Sequence, residues 1–93
     1  MHERCIEQKL TKAAKKRGGI ALKFVSPSFA GMPDRLVLLP EGKIGFVELK
    51  ATGQKPRALQ RARHEMLRRL GFKVFVPDNI DEIEEVLNEI QSP

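Results

Sequence analysis

Asp34, Glu48 and Lys50 are residues whose types could do hydrolytic chemistry together, provided the chain brings them to one place. Two carboxylates held about 5 Å apart repel, and at least one pKa must rise. A divalent cation reverses that cost, because carboxylate oxygens are its natural ligands. Asp34 and Glu48 would then hold Mg²⁺, with Mn²⁺ able to replace it. The backbone carbonyl of Leu49 could add a third ligand, leaving places for water and a phosphate oxygen. Lys50 cannot be a ligand while protonated. It could orient or help deprotonate the attacking water, or neutralise charge on a transition-state phosphorane. The plainer alternative is a salt-bridged Asp34–Lys50–Glu48 group filling a half-buried polar spot. Such a network roughly breaks even against apolar residues, so stability alone explains it poorly.

Other residues stand near enough in the pattern to contribute. Glu7 lies on an early helix, on a line continued by Leu10 and Ala14, and could reach the cation through water; Glu3, one turn earlier, is its competitor. Gln60, an uncharged donor and acceptor in the first turns of a later helix, could position water or a phosphate oxygen. Lys23, Arg35, Lys55, Arg57 and Arg61 are the expected phosphate contacts, which give register on a nucleic acid without reading bases. His64, one turn after Gln60, could be a general base but is read as structural or surface. With His2 at the chain start, a histidine metal pair is not expected. Phe29 and Met32 either wedge against a base or cap the core. Cys5 has no nucleophile pattern around it.

These residues depend on a small set of elements. Glu3 to Arg17 repeats Ile6, Leu10, Ala13 and Ala14 at helical spacing and stops at Gly18-Gly19. Ile20 to Val25 reads as a strand, followed by a polar loop to Pro33. Asp34 to Leu39 and Lys43 to Lys50 are strands joined by Pro40-Glu41-Gly42, which fits a type I turn closed by a left-handed glycine. Leu39 then faces Lys43, and Asp34 faces Glu48 on one side of the sheet. A two-residue turn would set Asp34 opposite Leu49 instead. Leu36, Ile44 and Phe46 line the face of the acids and Val37, Val47 and Leu49 the other, so the hairpin is expected to be covered on both sides. Arg57 to Leu70 is a helix with an apolar stripe of Leu59, Ala62, Met66, Leu67 and Leu70. Phe72 to Val76 is a further strand. Asn79 caps a last helix, to about residue 91, with Glu82 in a capping box. The order α-β-β-β-α-β-α describes an α/β domain with a mixed central sheet flanked by helices.

Composition bounds the rest. Ninety-three residues, 41% of them apolar, allow one domain (residues 1–93) and a thin core. One cysteine excludes an intrachain disulfide and a Cys-rich zinc site. No stretch suits a membrane span or a secretion signal, so the cell interior, a cytoplasmic setting, is the default. The net charge of +5 is unevenly spread. All 17 Lys and Arg precede residue 74, whereas Asp78, Asp81, Glu82, Glu84, Glu85 and Glu89 follow with no base among them. A polyanionic partner suits the first three quarters of the chain. The acidic last helix either closes the core or contributes to a subunit interface.

The stretch Gly31-Met32-Pro33-Asp34-Arg35, followed by Phe46-Val47-Glu48-Leu49-Lys50 and then by Gln60, resembles the VRR-NUC (virus-type replication-repair nuclease) family of the PD-(D/E)XK superfamily. Lys23-Phe24-Val25-Ser26-Pro27 also looks like the small stand-alone phage and prophage members. The resemblance runs from about Glu3 to Val76. It implies a restriction-endonuclease-like core and a metal-dependent DNA endonuclease that pairs as a homodimer; junction or branched DNA, such as a Holliday junction, is the expected substrate, with plain duplex left open as the alternative. By the same resemblance the acid of the first helix matches Glu7, the metal pair Asp34 and Glu48, the catalytic lysine Lys50, and the helical glutamine Gln60. The alternative is a non-catalytic nucleic-acid-binding module on a nuclease-like scaffold.

Overall fold

The structure, a computed structural model, describes residues 2–93. Helix α1 spans Glu3–Lys16 and buries Ile6, Leu10, Ala13 and Ala14, the stripe its spacing predicts. Strands β1 (Ile20–Lys23), β2 (Arg35–Leu39) and β3 (Lys43–Val47) follow, then helix α2 (Ala58–Arg69) and strand β4 (Lys73–Phe75). A 3₁₀ turn (Ile80–Glu82) leads into helix α3 (Ile83–Gln91). The strands form one sheet in the order β1-β2-β3-β4, antiparallel except for the parallel β3–β4 pair. This is the mixed α/β arrangement that the sequence predicts. The strands are shorter than the apolar runs, yet pairing continues past their ends. Phe24 N–H donates to the Asp34 carbonyl at 2.9 Å and Glu48 N–H to that of Phe75 at 2.8 Å.

The β2–β3 register matches the turn arithmetic, from Leu39 opposite Lys43 to Arg35 opposite Val47. The turn itself differs. Glu41 (φ 68°) and Gly42 (φ 73°) are both left-handed, where one glycine was expected to be. Loop length fixes the pairing, so the register survives this change. A left-handed Glu41 costs about 1 kcal/mol.

The two faces of the sheet are covered unequally. Val37, Leu39, Val47 and Leu49 pack with α1 and α3 into the main core. There Ile83, Val86, Leu87 and Ile90 are buried, so the acidic helix closes the core. Ile90 lies directly on Gly45, where an added Cβ would come within 2.5 Å of its side chain. Lys73 caps the far end of α3, its Nζ donating to the Glu89 carbonyl at 2.6 Å and the Ser92 carbonyl at 3.0 Å, which suits the negative end of the helix. At the other end, the Asn79 side chain accepts from Asp81 N–H. Glu82 reaches back to Asp78 N–H, one residue further than a capping box requires.

Only half of the opposite face is covered, contrary to the expectation of full cover. Phe46, Leu67 and Val74 form a second cluster with Phe24, Met32, Leu36 and Met66. Ile20, Leu22, Ile44 and Phe72, further along this face, are exposed. One helix, about 10 Å wide, covers only part of a four-stranded sheet whose strands lie about 4.8 Å apart. The stripe of α2 is also turned from the one expected. Its buried residues are His64 and Leu67, whereas Leu59 and Leu70 are exposed. At the β4 edge, Arg68 Nη2 donates to the Val74 carbonyl at 2.9 Å. No helix among the described residues is long and apolar enough to cross a membrane.

Candidate active site

Register and parity set Asp34 and Glu48 on the face of the sheet that carries α2. Glu48 is only 3% exposed, and its carboxylate is surrounded by donors. Gln60 Nε2 donates to Oε2 at 3.1 Å, and Lys50 Nζ stands 3.7 Å from the same oxygen. His64 Nε2 lies 3.7 Å from Oε1. Burial, and then the Asp34 charge, push the Glu48 carboxyl up to about 7, against the pull of Lys50.

Gln60 is oriented by the start of its own helix. Its Oε1 accepts the Arg57 N–H at 2.8 Å, which satisfies one free donor of the first turn. The amide nitrogen must then face away, toward Glu48. This is why sequence and site coincide here: a capping glutamine at the third helical position delivers a donor to the neighbouring strand.

Asp34 is half-buried, and its Oδ1 accepts the Leu49 N–H at 3.1 Å. Burial raises its pKa, with Glu3 adding to the rise; the Leu49 N–H and Lys50 oppose it. The two candidate acids of α1 are placed differently. Glu7 is ion-paired with Arg35, whose Nη1 also donates to the Asp34 carbonyl at 2.9 Å. Glu3 is the acid of α1 whose charge acts on both Asp34 and Glu48. Glu3, Glu7, Lys23, Asp34 and Arg35 line one open hollow together with Arg4.

The expected phosphate contacts fall in three positions. Lys23 is at the rim of that hollow, and Arg35 is drawn inward by Glu7 and Asp34. Lys55 and Arg61 line a second hollow with His64, Arg68 and Asp78. Arg57 is exposed at the start of α2. Arg63 has a structural task, since its Nε donates to the Ala30 carbonyl at 2.8 Å and its guanidinium lies 3.8 Å over the Phe29 ring. That clamp holds the loop leading to Asp34 against α2. Gly31 (φ 88°) lets it close, because a Cβ there would meet Leu59 at 2.8 Å.

Among the described residues, no group of three or more His, Cys, Asp and Glu side chains could hold a metal unaided. Mg²⁺ does not need one; it keeps several waters and takes one or two carboxylates. Asp34 and Glu48, two carboxylates on one face of the sheet and both raised in pKa chiefly by burial, are a donor set that fits such an ion. His64 is the neighbour of Glu48 that sequence reasoning set aside. The signal was available, since Gln60, His64 and Leu67 follow one helical line.

Comparison with known proteins identifies relatives of the chain as a whole. No family model matches the chain. It is 52% identical over 81 residues, 87% of either chain, to a protein of Acyrthosiphon pisum secondary endosymbiont phage 1 described as "Putative nuclease p44". A solved structure described as a VRR_NUC domain superposes with a TM-score of 0.86 at 31% identity, covering 92% of this chain and 94% of the other.

Proposed function

The chain belongs to the VRR-NUC nuclease family, and from that premise we propose that it is a Mg²⁺- or Mn²⁺-dependent endonuclease hydrolysing phosphodiester bonds in DNA. The observation that carries this reading is the pair of acids, Asp34 and Glu48, each raised in pKa, with Lys50 beside them. A surface meant only to bind phosphate would gain nothing from buried carboxylates. When bound, a divalent cation polarises the scissile phosphate and supplies a stronger nucleophile from water. Asp34, Glu48 and the Leu49 carbonyl would hold it. Lys50 faces the attacking water and offsets charge building on the phosphoryl oxygens. Gln60 keeps the Glu48 carboxylate in place. A bond forms from water oxygen to phosphorus as the bond to the 3′-oxygen breaks; the attacking water gives up a proton to solvent and the leaving oxygen takes one from it, leaving a 5′-phosphate and a 3′-hydroxyl. Of the α1 acids, we assign Glu3 to the site and Glu7 to holding Arg35, with water between Glu7 and the ion as the alternative from family matching.

Lys23, Lys55, Arg57 and Arg61 carry the DNA backbone on either side of this centre, and branched DNA is the proposed substrate. A second copy pairs over the open half of the sheet. What supports that pairing is the apolar row of Ile20, Leu22, Ile44 and Phe72, between 40% and 49% exposed. Such an interface gives two sites for two strands.

The test is incubation with labelled duplex, flap and four-way-junction DNA in Mg²⁺, in Mn²⁺ and in EDTA, with Asp34→Ala and Lys50→Ala alongside. Cleavage is expected only with metal and only by the wild type. Binding without cleavage under every condition would favour a non-catalytic nucleic-acid-binding module.

A further inference from the structure

We propose that His64 is a positioning residue for Glu48, fixing the carboxylate from behind in the orientation it presents to a divalent cation. The proposal rests on the metal reading above and goes beyond the motif that carries it. His64 and Glu48 are 2% and 3% exposed. Glu48 Oε2 has both Gln60 and Lys50 for company, whereas Oε1 has only His64 Nε2, at 3.7 Å. Both of these atoms are inaccessible to water, and neither has another hydrogen-bond partner. Buried polar atoms are paired as a rule. Two orphans facing each other across a gap about 0.5 Å beyond hydrogen-bond length are one side-chain rotation from satisfying each other.

The chemistry of the two atoms assigns the hydrogen. When Glu48 is ionised, as a cation ligand must be, its oxygen only accepts, so in that state the ring nitrogen facing it carries the proton. Packing does not explain a histidine here. Its neighbour on the same stripe is Leu67, and the cluster beside it is Phe46, Val74 and Met66. A leucine would serve that environment without a buried polar atom. With Gln60 on one oxygen and His64 on the other, the carboxylate is held at both corners.

The experiment measures Mn²⁺ binding calorimetrically, and melting in EDTA, for wild type, His64→Leu and His64→Gln. Glutamine at 64 extends an amide nitrogen to the position of Nε2. His64→Leu should bind Mn²⁺ about 10-fold more weakly, in the range for lost outer-sphere donors. It should melt in EDTA no lower than wild type, because one of the two buried orphan atoms is gone and Glu48 Oε1 loses no hydrogen bond that it had. His64→Gln should stay within about 3-fold of wild-type affinity, the donor being retained. If His64→Leu does not fold, His64→Asn, polar but too short to reach Oε1, takes its place with the same expected loss. A folded His64→Leu (or Asn) protein with wild-type affinity would overturn the proposal, and so would a His64→Gln protein as weak as the leucine variant. Wild-type protein that takes up no Mn²⁺ would overturn the metal reading itself, and this inference with it.

Discussion

Gln60 ties the start of α2 to Glu48 with one amide: its oxygen takes the Arg57 N–H at 2.8 Å and its nitrogen gives to Glu48 Oε2 at 3.1 Å. Helix capping and carboxylate placement are therefore one interaction. Gln60→Ala should lower stability by about 1 kcal/mol, as loss of a cap does, or roughly 4–8 °C in melting temperature for a domain this size. Gln60→Glu keeps an oxygen for the Arg57 N–H but turns a second carboxylate on Glu48. It should retain most of the stability and lose about 10-fold or more in cleavage rate. Thermal denaturation and single-turnover kinetics on the two variants separate the roles.

The raised pKa of Glu48 predicts how the metal-free protein responds to pH. In the folded state the group titrates at about 7, against an ordinary value of 4.5. Between those values the folded protein binds more protons than the unfolded chain, so stability falls as pH rises through this window. The loss from this group is on the order of 3 kcal/mol by pH 8. Glu48→Gln should therefore be more stable than wild type in EDTA at pH 8 and indistinguishable from it near pH 4.5. Denaturant melts at both pH values check this. A neutral His64, its pKa lowered chiefly by burial, acts in the opposite direction, but it is common to both proteins.

The acids of α1 should divide in their effects. Glu3→Gln removes a charge felt by both site carboxylates and should slow the single-turnover rate about 10-fold. Glu7→Gln releases Arg35 and should change KM while leaving that rate within about 3-fold. The reverse ranking would return the role to Glu7.

Gly45→Ala should destabilise the protein by about 1–3 kcal/mol, because the new methyl overpacks a fully buried Ile90. Ile90→Val in the same chain should recover part of the loss, and a double-mutant cycle in urea measures that coupling.

Pairing over the open sheet face predicts that Ile44→Glu abolishes dimers in sedimentation equilibrium, with the melting temperature in dilute solution unchanged within about 2 °C, the side chain being exposed. Dimers that persist in this variant would place the interface elsewhere.

How much of this could be read from the sequence depended on what kind of force decided each feature. The register that sets Asp34 near Glu48 follows from the number of residues between two apolar runs, and counting is enough; the left-handed Glu41 changed the turn but not the count. The face of α2 was misjudged because apolar spacing assumes a helix buries only apolar side chains. A nearly inaccessible Glu48 needs a donor, and the helix face that supplies Gln60 also carries His64 inward and leaves Leu59 and Leu70 outside. Glu3 and Glu7 share one helical line, so spacing could not say which reaches the site. In the structure Arg35, one residue after Asp34, pairs with Glu7, and it is this contact with a residue far along the chain that spacing does not show.

The Arg68 guanidinium on the Val74 carbonyl has a consequence for how copies of this protein can meet. β4 is a border strand only three residues long, and the acceptor at its middle residue is already taken. An incoming strand from another molecule would find few groups to zip onto, which is how short, obstructed borders resist runaway stacking. Of the sheet's two borders, this one therefore offers little from which strand-on-strand growth between copies could start.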